Sequence, residues 1–363
     1  MGIGTKLSKQ VLFRNRGCAG YIRHMPMRSL LIALLLVVMG CLLFVSHLLV
    51  GPVLIAPKAV VAALFGADAG STTALIVRGI RLPEAVTAAA AGAGLAACGL
   101  LMQTLFRNPL AGPSVMGISS GASLGVALLL LAPSAWSVLW LPPSLALIMG
   151  AFGGAMGVLI LIMLADRRMG DGVALLIVGL MVGYLCSAII SVLQVASTDA
   201  ELKGFVLWGM GSFVGVTSDR MPWFILPVSA GLLASLLLVK PLNALLLGDA
   251  YAATMGIPVL RSRRSIMWTT GVLAGTITAF CGPIAFLGLA TPHVARGLCR
   301  TSDHVVLMPI TILCGAVLAL FCDLLIKLPG WGAGIPLNAV TSLLGAPVVA
   351  WVLFSGKRWA RSA

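Results

Sequence analysis

Long apolar runs, separated by short polar breaks, make up most of the sequence. Each run approaches the roughly 20 residues that a helix needs to cross a membrane. Nine runs meet this pattern: Ser29–Val50, Ala85–Phe106, Gly112–Ala132, Leu147–Ala165, Val173–Ala196, Met221–Val239, Ser265–Ala285, His304–Leu325 and Pro336–Phe354. The pattern therefore predicts an all-α polytopic membrane protein.

The distribution of basic residues calls for a tenth crossing. Both chain ends are rich in Lys and Arg and lack Asp and Glu, so both are predicted to be cytoplasmic. An odd number of spans cannot place both ends on one side. The short segment Ala285–Arg300 contains Pro292 and ends in basic residues, and a discontinuous crossing is possible where protein surrounds it. We predict ten transmembrane helices, one of them short or broken.

The polar breaks also predict the domain organisation. Residues 1–28 form a basic cytoplasmic segment, and 29–363 form one transmembrane domain. Within this domain, residues 241–260 form a compact cytoplasmic segment between two spans. There Asp249 is predicted to cap a short helix, which Gly256 and Pro258 end. The pattern predicts short helices on the cytoplasmic face.

Composition supports lipid as the surrounding solvent. Hydrophobic residues make up 60% of the chain and charged residues only 9%, with a mean hydropathy of +1.09. The net charge of +14 comes mainly from cations at the ends of apolar runs. Such cations set membrane topology, and no basic stripe interleaved with aromatics indicates nucleic acid as a partner. The eight cysteines form no CxxC pair, so no metal site is predicted.

The sequence lacks the motifs of several alternative functions. It has no G-x-x-x-x-G-K-[ST] loop for ATP, no HExxH motif and no Ser/His/Asp set. Acids are rare inside the runs, whereas proton-driven carriers usually place ionisable groups there. A proton-coupled secondary carrier and an intramembrane enzyme remain open but less favoured. A transporter of this kind would take its energy from another chain.

Four separated motifs resemble one family. They are "LNALLLGDAYAATMGIPVLRSR" from Leu242, "RLPEAVTAAAAGAGLAACGLLMQTLFRNPLAGP" from Arg81, "GPIAFLGLATPHVARGL" from Gly282 and "IPLNAVTSLLGAPVVAWVLF" from Ile335. Together they resemble the FecCD family, the permeases of ABC importers for iron–siderophore complexes, haem and vitamin B12. The resemblance covers nearly the whole chain beyond about residue 50, in order.

The resemblance implies a function and a set of partners. The chain would be a permease subunit that imports an iron chelate, either a ferric siderophore or haem, with vitamin B12 as the alternative. It would form a homodimer in a bacterial inner membrane, multi-pass, with both termini cytoplasmic. Two ATPase subunits would bind ATP and Mg, and a periplasmic or lipid-anchored protein would deliver the substrate. No cofactor is expected on this chain itself.

The resemblance also implies three sites. The ATPase-coupling site would comprise Leu242, Leu245, Gly248, Asp249, Ala250, Ala253, Met255 and Gly256. A cytoplasmic gate would comprise Asn108, Leu110 and Gly172. The binding-protein docking site would comprise Arg81, Lys327, Arg78 and Glu84. In the family the second basic position of an R-L-P-R stretch corresponds to Glu84, so Glu84 is a departure for which Arg78 could compensate.

Overall fold

The computed structural model describes residues 27–51, 53, 55–66, 71–132, 142–169, 172–328 and 335–359, and these residues form helices and no strand. The helices are α1 (Met27–Leu49), α2 (Pro57–Phe65), α3 (Thr72–Ile76), α4 (Leu82–Leu105), α5 (Ile118–Leu130), α6 (Pro143–Met169), α7 (Gly172–Ala196), α8 (Asp199–Gly209), α9 (Met221–Leu237), α10 (Val239–Leu245), α11 (Asp249–Thr254), α12 (Val259–Cys281), α13 (Leu287–Cys299), α14 (His304–Lys327) and α15 (Leu337–Trp359). A π-helical turn, Val77–Arg81, joins α3 to α4.

Among the described residues, five helices are long and apolar enough to cross a membrane. They are α1, the continuous helix that contains α3 and α4, α6, α7 and α14. A sixth span results if α9 and α10, which meet at an angle of 52°, are counted together. Each of the nine predicted runs overlaps one of the helices. The predicted all-α membrane architecture is therefore confirmed.

Helices α4 and α14 form the centre of the bundle. In the most apolar stretch of the helix containing α4, 83% of the residues are buried, against only 11% in α1 and 17% in α7, which form the rim. At the centre, a Cβ on Gly92 would lie 2.2 Å from the carbonyl oxygen of Gly315. Only glycine permits this backbone approach, and small residues are the usual means of close helix packing in lipid. The two helices run antiparallel and so define two ends of the bundle.

We refer to the end that contains α10 and α11 as the predicted cytoplasmic end, and to the opposite one as the predicted outer end. The segments 51–84 and 197–220, which contain none of the nine apolar runs, also include short helices. The hydroxyl of Ser71 accepts a hydrogen bond from the Ala74 N–H at 3.1 Å and begins α3. Glu201 accepts one from the Thr198 N–H at 2.8 Å and begins α8. These local caps start helices that are too short or too polar for a span pattern.

Several sequence expectations lie wholly or mostly outside the described residues. The basic segment 1–28 is among them apart from its last two residues, and so are the last four residues of the predicted domain 29–363.

Candidate functional sites at the two ends of the bundle

The predicted coupling segment consists of two short helices joined by a sharp turn. Helix α10 ends at Leu245, and Gly248 has a φ of 104°, which a residue with a side chain rarely adopts. Helix α11 ends with Gly256 at a φ of 77°, and the Ile257 N–H bonds to the Ala252 carbonyl at 3.1 Å. This backbone hydrogen bond at the end of a helix belongs to a Schellman motif. The predicted stop at Gly256 is confirmed.

The coupling segment has a buried face and an exposed face. Leu242, Leu245 and Gly248 are buried against the bundle, and Asp249 is half-buried. Ala250, Ala253, Met255 and Gly256 are exposed. The exposed face also includes two large side chains that sequence reasoning missed, Leu247 at 64% and Tyr251 at 52% exposure. An apolar spacing rule cannot find them, because Leu247 lies in the turn after α10 and the six residues of α11 are too few to show which face is covered.

Asp249 differs from its predicted role. The N-cap position of α11 is Gly248, and Asp249 is the first helical residue. Its carboxylate lies 3.5 Å from the guanidinium of Arg263 on α12. Arg263 in turn pairs with buried Asp166 of α6 at 2.8 Å. The carboxylate therefore attaches α11 to the spans, because the guanidinium offers it a stronger partner than a backbone N–H would.

The predicted gate is a tight loop that follows α4. Arg107 begins it with a φ of 47°, in the left-handed region. The side-chain oxygen of Asn108 accepts a hydrogen bond from the Leu110 N–H at 2.9 Å, and Leu110 is 39% exposed. A Cβ on Gly172 would lie 3.7 Å from the ring of Phe106, next to this loop. The structure thus brings the three predicted gate residues to one place, with Asn108 shaping the turn.

The gate loop and the coupling segment meet at the predicted cytoplasmic end. A Cβ on Gly248 would lie 3.4 Å from Nη1 of Arg107. Between them an open groove of about 650 Å³ is lined by Arg107, Leu247, Gly248, Asp249, Ala250, Tyr251 and Thr254. Arg107 was not among the predicted residues, and its position in this groove depends on folding rather than on a local pattern.

At the predicted outer end, three of the four predicted docking residues, Arg81, Lys327 and Glu84, face the interior of the bundle. Arg81 is 4% exposed and donates to the carbonyls of Leu48 at 2.8 Å, Leu49 at 2.9 Å and Val53. Lys327, whose side chain is 12% exposed, lies 2.7 Å from Glu84. Both cations therefore have partners within the chain.

Arg78 is the exposed member of the docking set. It lies in the π-helical turn and donates to the Leu64 carbonyl at 3.0 Å. A buried, paired cation such as Arg81 would have to leave its partners before it could contact another protein, whereas Arg78 is already exposed.

A separate apolar cavity of about 610 Å³ lies among α5, α6 and α7. All six glycines that line it lie on two of these helices: Gly121 and Gly125 on α5, and Gly150, Gly153, Gly154 and Gly157 on α6. Several of these also pack helix against helix, since a Cβ on Gly125 would lie 2.0 Å from the Gly150 carbonyl oxygen. Their small size therefore serves close packing at these points.

Comparison with known proteins agrees with this architecture. The FecCD transport family model matches residues 23–355. The vitamin B12 import system permease protein BtuC of Escherichia coli O9:H4 (strain HS) is 36% identical over 285 residues, which cover 78% of this chain and 85% of that protein. BtuC of Shigella boydii serotype 18 gives the same values.

A solved structure of a metal-chelate type ABC transporter in an inward-facing conformation also matches. Its TM-score is 0.78 at 27% sequence identity, over 89% of this chain and 99% of that one. The helical fold, the match over nearly the whole sequence and the identity to these permeases lead to one conclusion: this chain belongs to the FecCD transport family.

Proposed function

We propose that this chain is the membrane permease subunit of an ABC importer that carries a bulky metal chelate into the cytoplasm, with a ferric siderophore or haem as the first candidate. The proposal rests on one combined observation: membership of the family together with the exposed apolar face of the coupling segment, α10 and α11. This face is not needed for packing within the bundle, since Leu247 and Tyr251 are exposed to solvent. It fits a cleft on a soluble partner.

Vitamin B12 is the second candidate substrate. The observation in its favour is the 36% identity to permeases named for vitamin B12 import. The metal-chelate transporter matches a larger share of this chain, at 27% identity. Both candidates are bulky metal complexes, so the same permease architecture suits either.

Ten crossings with both ends cytoplasmic make up the proposed topology, within one domain over residues 29–363. Helix α13 is the short crossing. Its 13 residues span about 20 Å at 1.5 Å per residue, less than the roughly 30 Å hydrocarbon core. It packs against α4, α14 and α15, so protein surrounds it, as a short crossing requires.

The proposed complex contains two copies of the permease in a bacterial inner membrane. Two ATPase subunits carry ATP and Mg and bind the coupling segment. A periplasmic or lipid-anchored protein docks at the outer end. When the ATPase dimer closes, the coupling segment moves and tilts the spans. Asn108, Leu110 and Gly172 close the path at the cytoplasmic end, where the amide and the apolar side chain meet their twofold mates and exclude water.

A proton-coupled carrier is disfavoured by where the buried acids lie. Among the described residues, Glu84 and Asp323 pair with Lys327 at the outer end, and Asp166 pairs with Arg263 at the other end. A proton relay would need titratable groups along the path between these ends. The paired acids instead lock helices together.

The test is uptake into proteoliposomes that contain the permease with its ATPase and binding protein. Labelled ferric siderophores, haem and cobalamin are offered in parallel, with and without ATP. Accumulation of one ligand only with ATP supports the importer and names the substrate. Uptake driven by a proton gradient without ATP would overturn the proposal in favour of a secondary carrier. A permease reconstituted without the ATPase serves as the control.

A further inference from the structure

A chain of polar side chains connects the coupling segment to the last turn of α4. It runs from Asn243 on α10 through His304 at the start of α14 to Thr104, and Asp303 holds the amide of Asn243 from the side. The described residues are apolar over most of this region, so a continuous polar path through it is conspicuous. His304 is 1% exposed and Thr104 is 2% exposed, which shields the path from water.

The partners of Asn243 fix the orientation of its amide. Its Nδ2 lies 2.6 Å from Oδ1 of Asp303, which also caps α14 by accepting the Val305 N–H at 2.9 Å. A carboxylate only accepts, so the amide NH₂ must face it. The amide oxygen therefore faces His304, where it accepts the backbone N–H at 2.8 Å and Nδ1 at 2.9 Å.

This arrangement also fixes how the imidazole of His304 is used. Because the amide oxygen of Asn243 accepts, Nδ1 carries the proton that is donated to it. The opposite ring nitrogen, Nε2, lies 2.8 Å from the hydroxyl of Thr104 on α4. His304 thus joins α10 to α4 through one rigid ring.

The hydroxyl of Thr104 has a second possible hydrogen-bond acceptor besides His304. The same hydroxyl lies 2.9 Å from the Leu100 carbonyl oxygen of its own helix. When His304 moves away, Thr104 can bond to Leu100 and leave no buried hydroxyl unpaired, which keeps the cost of separation low. The His304–Thr104 contact is therefore one that can open and close.

The last turn of α4 leads directly into the gate loop. Gln103, the neighbour of Thr104, accepts a hydrogen bond from Arg296 of α13 at 2.5 Å. His293, also on α13, bonds to the Pro109 carbonyl at 2.8 Å through Nε2. A displacement of the end of α4 is therefore transmitted to the loop from two sides.

We infer that His304 is a positioning residue that transmits movement of the coupling segment to α4 and the gate loop through its contacts with Asn243 and Thr104. This inference rests on the proposed function, because it presupposes that an ATPase moves the segment. It names the route by which that movement reaches the path. Apolar contacts of Leu242 and Leu245 hold the segment in place, whereas the hydrogen bonds define its register.

The test uses Thr104→Val, which deletes the hydroxyl and keeps the side-chain shape, in the complete complex with ATPase and binding protein. ATP hydrolysis and uptake are both measured, and substrate transported per ATP is the readout. We expect hydrolysis to persist and the ratio to fall about five- to tenfold, the factor that one net hydrogen bond supplies. Thr104→Ser restores the hydroxyl and should restore the ratio. His304→Phe should lower the ratio as Thr104→Val does.

The matched control is Thr311→Val on α14, a buried threonine whose hydroxyl bonds to Leu307 of its own helix at 2.7 Å. An equal fall in this control would mean that any buried hydroxyl matters, and would overturn the inference. So would an unchanged ratio in both Thr104→Val and His304→Phe. Should Thr104→Val not assemble, His304→Phe decides by the same ratio: a fall supports the inference, and an unchanged ratio overturns it.

Two kinds of failure remain separable. If the wild-type complex shows no ATP-driven uptake, the proposed function fails and the inference falls with it. If the wild type transports and the variants keep its ratio, only the inference is rejected.

Discussion

Lys327 Nζ lies 2.7 Å from Glu84 Oε2 and joins α14 to α4 at the predicted outer end. The same ammonium lies 3.2 Å from Asp323 and 2.9 Å from Nδ1 of His47 on α1. Nε2 of His47 bonds to the Leu320 carbonyl at 2.9 Å. Three helices thus share one buried cation. Glu84 stands where the family pattern has a basic residue, and in this chain it pairs with Lys327.

Replacing Glu84 with Ala should destabilise the permease. Lys327 would keep Asp323 but lose its closest carboxylate, and removal of one partner from a buried pair typically costs about 3–5 kcal/mol. We expect a loss near the lower end, about 3 kcal/mol, measured by thermal unfolding in detergent. Asp219→Ala, at an exposed carboxylate of the same end, is the control. Equal stability of the two variants would contradict the role given to this pair.

Charge reversal at Arg78 should weaken docking of the binding protein. Arg78 is exposed, and exposed ion pairs contribute about 0–1 kcal/mol each and mainly steer association. We expect Arg78→Glu to raise the Kd about two- to fivefold at low salt and less at high salt. Arg107→Glu makes the same change at the opposite end and should leave the Kd unchanged. An unaltered Kd for Arg78→Glu at low salt would remove this residue from the docking surface.

Arg81→Glu should act differently from Arg78→Glu. Arg81 donates to the carbonyls of Leu48, Leu49 and Val53, and a buried carboxylate there would face three acceptors. The variant should therefore lose folded yield before any change in docking can be measured.

Adjacent glycines on α6 offer a sharp test of helix packing. A Cβ on Gly154 would lie 2.1 Å from the Gly121 carbonyl oxygen, whereas a Cβ on Gly153 meets nothing within 4 Å. Gly154→Ala should therefore force α5 and α6 apart and destabilise the permease by about 1–3 kcal/mol, as overpacking does. Gly153→Ala should be neutral or slightly stabilising. Unfolding midpoints in detergent compare the two, and an equal effect would refute the close approach.

An acidic residue in the exposed face of the coupling segment should prevent ATPase binding. Leu247 is 64% exposed and touches the groove beside Arg107. We expect Leu247→Glu to lower the amount of ATPase that copurifies with the permease at least tenfold, since a charge in the core of an interface costs about 2 kcal/mol or more. Ile80→Glu, a similar exposed change at the other end, should copurify normally. Normal copurification of Leu247→Glu would place the ATPase contact elsewhere.

A disulfide between two copies of Leu110→Cys should lock the gate. The variant is made in a background with Cys18→Ser and Cys41→Ser, because Cys41 is an exposed thiol. Oxidation should stop ATP-driven uptake, and reduction should restore it. Full uptake by the crosslinked dimer would show that Leu110 does not close the path.

Local sequence signals predicted the parts of the molecule that local chemistry determines. Apolar runs located the helices, and the glycine and proline after α11 located its end. Asp249 was predicted as a cap because Asp often is one, but Arg263 competes for it from another helix. No spacing rule reveals such a partner.

The partners of charged residues could not be predicted for the same reason. Lys327 and Glu84 each look like a helix-end charge that faces water, and only the antiparallel packing of α4 and α14 brings them together. Helix α8 was missed because its signal is the pair Thr198 and Glu201 rather than an apolar run.

The attachment of α1 at its outer end has a consequence for biosynthesis. His47 and Lys327 lie 280 residues apart in sequence. At about 5–20 residues per second, the ribosome completes α14 roughly 15–60 s after α1. During that interval α1 sits in the membrane with its imidazole unpaired by Lys327. The insertion machinery or lipid head groups must solvate that ring until α14 is made, so the formation of this cluster is a late step in the maturation of the permease.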